Sequence, residues 1–235
     1  MTSLELEARL DNLLATAQEE TKDVDLFAPI IVADREECPI CMMPLPLLGN
    51  EVLFMSCCGK SICNGCAYKH IEVDVKKGTP GDEAKCVFCQ QPMASIGNYN
   101  KQLKKLMKKK NPKAFFQMAC MYKDGDGIIQ SDTRALQMSI EAAELGYAAA
   151  FGMIGKYYMR GFAATRDVAK GLKYYEIASK KGDIETHKLL AWFHGENGNH
   201  QKCIDHLKVV ASAGYQESMN TLIKLSVLSR SQRIS

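Results

Sequence analysis

Apolar residues recur at helical spacing over residues 3–20, where Leu6, Leu10, Leu13, Leu14 and Ala17 fall on one stripe. The pattern predicts an amphipathic helix that buries one face, and Thr2 and Glu5 have the spacing of a capping box ahead of it. The next stretch, DVDLFAPIIVADREE, mixes apolar and acidic residues without a period and reads as a partly extended linker. From Ala114 onward the pattern repeats: Tyr122 and Tyr158, Gly125 and Gly161, Ala135 and Gly171, and Gly146 and Gly182 are each 36 residues apart. Self-similarity at this period is the mark of a repeat array. Each of the first two units is a pair of helical stretches around a Gly-rich turn. The third unit shortens that turn by four residues, so that Gly214 follows Gly182 by 32, and SMNTLIKLSVL supplies a last single helix as a cap on the stack.

Each helix pair in such an array is apolar on two sides, so neighbouring units must cover it. Small residues recur at matching positions, Ala119, Gly155 and Ala191 in the first helices and Ala135, Gly171 and Cys203 in the second, which predicts close helix approach. Cys203 then reads as a small core residue, and Cys120, aligned with Lys156 and Trp192, reads the same way.

Charge divides the rest of the chain. Residues 1–37 hold ten acids and three bases, residues 38–97 hold five of each, and residues 98–113 hold seven lysines and no acid. Blocks of this kind mark linkers and tails. The lysine run lacks interleaved aromatics beyond Tyr99, so nucleic-acid binding is not expected. No apolar run of 18 residues is present, so no membrane span is expected. The acidic start MTSLELEARLDNLL is unlike a secretory signal, which leads to the expectation of a reducing home, cytoplasmic or nuclear. The domains read as 1–37 (helix and acidic linker), 38–97 (cysteine module), 98–113 (lysine-rich linker) and 114–235 (helical repeats).

Eight of the ten cysteines fall within 52 residues: CPIC at Cys38 and Cys41, the vicinal pair Cys57 and Cys58, CNGC at Cys63 and Cys66, and CVFC at Cys86 and Cys89. Four pairs make two tetrahedral sites. Two Zn2+ are the expected occupants, because a d10 ion accepts four thiolates without geometric strain and the two-residue spacer turns both sulfurs to one point. Disulfides are the competing reading, disfavoured because CxxC is the metal-binding habit of intracellular chains.

The order C-x2-C-x15-C-C-x4-C-x2-C-x19-C-x2-C resembles a RING finger of the all-cysteine variety. By that resemblance Cys38, Cys41, Cys63 and Cys66 hold the first zinc, and Cys57, Cys58, Cys86 and Cys89 the second. Many RING fingers have a histidine ligand where this chain has Lys60. A lysine ammonium has no lone pair to give, so either the doubled cysteine replaces it, with Gly59 easing the turn, or His70 completes the site. The repeats, through the A-x3-L/M-G/A-x2-Y-x2-G frame and the ending EAAELGY, resemble Sel1-like repeats, a tetratricopeptide-related family that implies a concave protein-binding scaffold. Together the resemblances imply a mainly α protein: a small zinc-stabilised cross-brace module joined to an α-α repeat solenoid of three units plus a capping helix.

RING fingers mostly act as ubiquitin ligases that recruit a ubiquitin-conjugating enzyme and contribute no catalytic side chain. The resemblance places the conjugating-enzyme contact at Pro39, Ile40, Val87, Phe88 and Pro92. Val87, His70 and Gln90 depart from the residues active members often carry, and a neutral amide at Gln90 copies only part of an arginine fork. Two functions are therefore expected in competition: a RING-type ubiquitin ligase with a protein substrate on the repeats, or a non-catalytic zinc-stabilised adaptor. The first helix offers a route to a homodimer. Other chemistry finds little footing: the GDG of KDGDGII lacks the lysine of a phosphate loop, and His187, His194, His200 and His206 read as scattered packing or surface residues.

Overall fold

The computed structural model describes residues 3–28, 36–46, 51–76, 85–92 and 96–231. Helix α1 (Ser3–Glu20) buries the predicted stripe of Leu6, Leu10, Leu13, Leu14 and Ala17; Thr2, the first member of the expected capping box, lies outside the described residues. The cysteine module follows. Its strands β1 (Val52–Phe54) and β2 (Ser61–Cys63) pair antiparallel with Val52 opposite Cys63, and α2 (Asn64–Lys76) continues directly from β2.

Three helical pairs form the repeats: α4 (Pro112–Asp124) with α5 (Asp132–Glu144), α6 (Ala148–Arg160) with α7 (Val168–Lys180), and α8 (Ile184–Glu196) with α9 (His200–Ser212). The last helix, α10 (Gln216–Ser231), packs on α9. Local chemistry sets the starts. Asn111, Ser131, Asp167 and Asp183 each accept a hydrogen bond from the backbone N–H three residues on, which satisfies a donor the helix itself leaves orphaned. Where α6 meets α7, small residues let the backbones close. A Cβ at Gly155 would lie 2.6 Å from Cδ1 of Tyr175 and 2.9 Å from the carbonyl oxygen of Gly171.

Charges of both signs in the N-terminal block have partners on the repeats. Arg9 pairs with Glu141 and Glu144 of α5, Asp11 with Lys170 of α7, and Glu20 with Lys181. Deeper in, the Tyr174 hydroxyl donates to the Leu10 carbonyl at 2.6 Å and Tyr158 donates to Glu7 at 3.1 Å. Helix α1 therefore lies across the first two repeats and joins their core. Its stripe is used within the chain, and a homodimer would need another surface.

The lysine-rich segment, read from charge as a spacer, forms most of helix α3 (Ile96–Lys108). Leu103 and Leu106 are buried with Ala114, Met118 and Met121 of α4, while Lys101, Lys104, Lys105 and Lys108 are exposed. Phe54 of β1 packs against the same cluster. Buried Ser56 donates to Gln102 at 2.6 Å, and Gln102 donates to the Pro92 carbonyl. Lys113 pairs with Glu36 and donates to Ser61. A helix of the repeat half thus seats the cysteine module. No helix among the described residues is long and apolar enough to cross a membrane.

Candidate metal centres

The first and last cysteine pairs sit in two loops of the same form. In one, Glu37 bridges Pro44, Cys38 N–H donates to the Met43 carbonyl at 2.8 Å, and Met42 N–H returns to the Cys38 carbonyl at 2.9 Å. In the other, Lys85 bridges Pro92, Cys86 N–H donates to Gln91, and Gln90 N–H returns to Cys86 at 3.0 Å. The residue after each second cysteine takes a left-handed backbone, φ 59° at Met42 and 57° at Gln90. That conformation folds the loop so that both sulfurs face inward, and neither position is a glycine that would have revealed it. The third pair is placed by β2 and the first turn of α2. The vicinal pair lies in the turn between the strands, where Gly59 at φ 80° closes back on Met55 with a 2.7 Å hydrogen bond.

The structure gathers Cys38, Cys41, Cys63 and Cys66 into one set and Cys57, Cys58, Cys86 and Cys89 into the other, the sulfurs of each set lying within 4.8 Å of one another. Four thiolates around a tetrahedral ion at ~2.3 Å stand about 3.8 Å apart. Cys41 and Cys63 are 3.9 Å apart, and Cys58 and Cys86 are 3.8 Å apart. All ten cysteines are free thiols. The chain thus carries two tetra-cysteine clusters, each able to coordinate a metal ion, in which pairs one and three share a site and pairs two and four share the other.

The electrostatics of the clusters suit a cation. At Cys38, burial pushes the thiol up, but backbone N–H groups of Cys41, Cys63 and Ile40 outweigh it and hold the group down to about 6. Cys66 is pushed up to about 12 by desolvation and by the neighbouring sulfurs of Cys63, Cys41 and Cys38. In the second set, desolvation and the sulfurs of Cys89 and Cys86 push Cys57 well above its ordinary range. Sulfurs that oppose one another's ionisation in this way are those a divalent ion would stabilise together.

His70 stands outside both sets; its Nε2 lies 2.8 Å from the Lys85 carbonyl, tying α2 to the last loop. Lys60 lies over the Phe88 ring at 4.5 Å, a role that spacing alone does not suggest. Of the residues considered for a conjugating enzyme, Pro39, Ile40 and Pro92 are exposed and Val87 and Phe88 half-buried. Met42, Met43, Tyr68 and Ile71 add exposed apolar surface on the first loop and α2.

Three of the four histidines of the third repeat pack together, and His200 stands exposed outside the group. His187 and His206 are buried with their Nδ1 atoms 3.0 Å apart, and His194 stacks on His206 at 5.6 Å. Phe27 also packs on His206, tilted, with ring centroids 5.0 Å apart. The i, i+7 spacing of His187 and His194 places them on one helix face, but their third member comes from α9, which no local pattern announces.

Comparison with known proteins defines the class of the repeat half. The family model described as Sel1 repeat matches residues 112–147 and 152–183, and with the paired helices above these residues form a Sel1-like repeat solenoid. The particular likenesses are to two solved structures. A Sel1 repeat protein from Oxalobacter formigenes is similar over 68% of this chain and 75% of its own, at 22% identity and a TM-score of 0.51. The c5321 protective antigen of uropathogenic Escherichia coli strains, which displays an SLR fold, is 20% identical with a TM-score of 0.50. That likeness covers 56% of this chain and 29% of the antigen. Both speak to the fold. No curated protein sequence matches the chain.

Proposed function

We propose that the protein is a zinc-stabilised adaptor, with Zn2+ in both cysteine clusters and a protein partner on the helical repeats. The observation that supports this most is two complete four-sulfur sets ahead of a Sel1-like solenoid. The buried residues of the cysteine module, Cys38, Leu45, Met55, Ile62, Ala67 and Cys86, form a small core. A segment of this size cannot fold on such a core, so the ions supply its folding free energy, on the order of 10 kcal/mol each. The test is affinity capture with the full chain and with Trp192→Ala, alongside zinc content. A partner lost on Trp192→Ala with two zinc ions retained supports the adaptor; capture unaffected by any change on the repeats contradicts it.

A second reading, a RING-type ubiquitin ligase, is favoured by the alternation of pairs between the two clusters and by exposed Pro39, Ile40 and Pro92 beside them. Against its strength, the Gln90 amide donates to the Val87 carbonyl of its own loop at 3.5 Å. Autoubiquitination with a panel of conjugating enzymes decides between the two: chains formed by the wild type and lost in Ile40→Ala support the ligase, and no chains from any enzyme leave the adaptor.

A further inference from the structure

A cleft of about 320 Å³ opens between the first two repeats, lined among others by Lys123 and Asp124 of α4, Asp132 at the start of α5, and Lys156, Tyr157 and Arg160 of α6. Its charges are unevenly satisfied. Lys123 pairs with Asp124 at 3.2 Å, whereas the side chains of Lys156 and Arg160 make no hydrogen bond or ion pair among the described residues. Lys156 is held below the usual lysine range by burial, then by the repulsion of Arg160 and Lys123. At the cleft wall Tyr157 is 5% exposed, and its hydroxyl is buried without a hydrogen-bond partner. A buried hydroxyl left unpartnered is costly, so a chain that keeps one in the wall of a cleft lined by two unpaired cations has a site built to be filled.

We propose that this cleft binds the carboxylate of an acidic residue in a partner peptide, with Arg160 and Lys156 as its cationic partners and the Tyr157 hydroxyl as a donor. The charge of the lining selects the anion. Three cations stand against two carboxylates, a net +1 that matches a carboxylate and leaves a phosphate dianion uncompensated. The surroundings select its neighbours. Phe162 is 52% exposed at the rim, and Trp192, 66% exposed, occupies the Lys156 position one repeat along. A peptide following the first-helix face therefore meets an acid-binding cleft and then an exposed indole, the pairing suited to an acidic residue with an apolar one nearby. This rests on the reading of the repeats as the protein-holding half and is independent of what occupies the cysteine clusters.

The test uses the zinc-loaded full chain and dye-labelled octapeptide pools with randomised flanks and a central Glu, Gln or phosphoserine, followed by anisotropy. The Glu pool should bind at least ten-fold tighter than the Gln pool and no weaker than the phosphoserine pool. Lys156→Gln with Arg160→Gln should abolish that preference with the melting temperature retained. Tyr157→Phe should weaken the Glu pool about ten-fold while leaving the fold as stable as before or more so, an outcome that a purely structural tyrosine would not give. Equal binding of Glu and Gln pools, tighter binding of phosphoserine, or an unchanged Glu preference in the double variant overturns the proposal. If that happens while Trp192→Ala still abolishes capture of a partner, the cleft assignment falls and the adaptor reading stands.

Discussion

Replacing Gly155 with alanine puts a methyl group where α6 and α7 nearly touch. The new carbon would sit 2.6 and 2.8 Å from two ring atoms of Tyr175 and 2.9 Å from the Gly171 carbonyl, against an optimum of ~3.5–4.0 Å for carbon contacts. The carbonyl belongs to a helix backbone and cannot swing aside, so the helices must part by close to an ångström. Overpacking of this kind costs about 1–3 kcal/mol, and the better helix propensity of alanine returns at most about 1. The site cannot relax by one side chain alone, so the net loss should be about 2 kcal/mol, the upper end of that balance, a fall in melting temperature of roughly 4–8 °C. Gly195→Ala is the matched control in the same solenoid: its Cβ would meet only the Cys203 sulfur at 3.5 Å, ordinary contact, and should leave stability unchanged or raise it by up to about 1 kcal/mol. Urea unfolding of the zinc-loaded protein, followed by far-ultraviolet circular dichroism, reads both. If Gly155→Ala is as stable as the wild type, or if the two variants lose equally, the close α6–α7 approach is not what sets stability here.

Other outcomes follow from the same structure. Elemental analysis should find two zinc ions per chain, Cys41→Ser and Cys58→Ser should each lower this to about one, and a strong chelator should melt β1 and β2 while leaving the repeat helices folded. Tyr174→Phe removes the hydroxyl that donates to the Leu10 carbonyl, which keeps its helical bond, and should cost about 0.5–1.5 kcal/mol, with faster amide exchange concentrated in α1. His187 and His206 are held down to about 4 and about 3 by burial, with His187 and His194 adding to the effect at His206 and Asp205 opposing it. Both are neutral when folded and take up protons on unfolding below 6.5, so their contribution is full above pH 6.5 and is lost as pH falls. Between pH 6.5 and 5.5 each should cost about 1 kcal/mol. Urea titrations at those two pH values, followed by Trp192 fluorescence, check this, and His206→Phe should remove about half of the slope.

Much of the repeat half was legible because its constraints are periodic. Small residues must recur wherever helices touch, and the four-residue deletion in the third turn shows directly: seven residues join α4 to α5 and α6 to α7, and three join α8 to α9. The α3 helix was hidden by its own lysines. Its buried face needs only Leu103 and Leu106, too few to stand out against four lysines in the helix and three more just after it. The buried stripe of α1 was legible in its period, but where it docks was not, because the pairs that fix it, Glu20 with Lys181 and Asp11 with Lys170, are far apart in sequence. At the cysteines, CxxC spacing says that two sulfurs turn to one point, but not which pairs meet; that depends on how β1 and β2 carry the chain across. The Lys60 contact with Phe88 and the third-repeat histidine cluster are likewise tertiary facts with no local signature.

The docking of α1 has a consequence for how the chain is made. A stack of helical repeats ordinarily needs only neighbours and can assemble as each unit leaves the ribosome. Here Tyr174, which donates to the Leu10 carbonyl, lies 164 residues further along the chain, and at roughly 5–20 residues per second that is a delay of about 8–30 s. Until α5 and then α7 have been made, Leu6, Leu10, Leu13 and Leu14 lack the surface they bury against, so the docking of α1 is a long-range step laid over an otherwise neighbour-by-neighbour assembly.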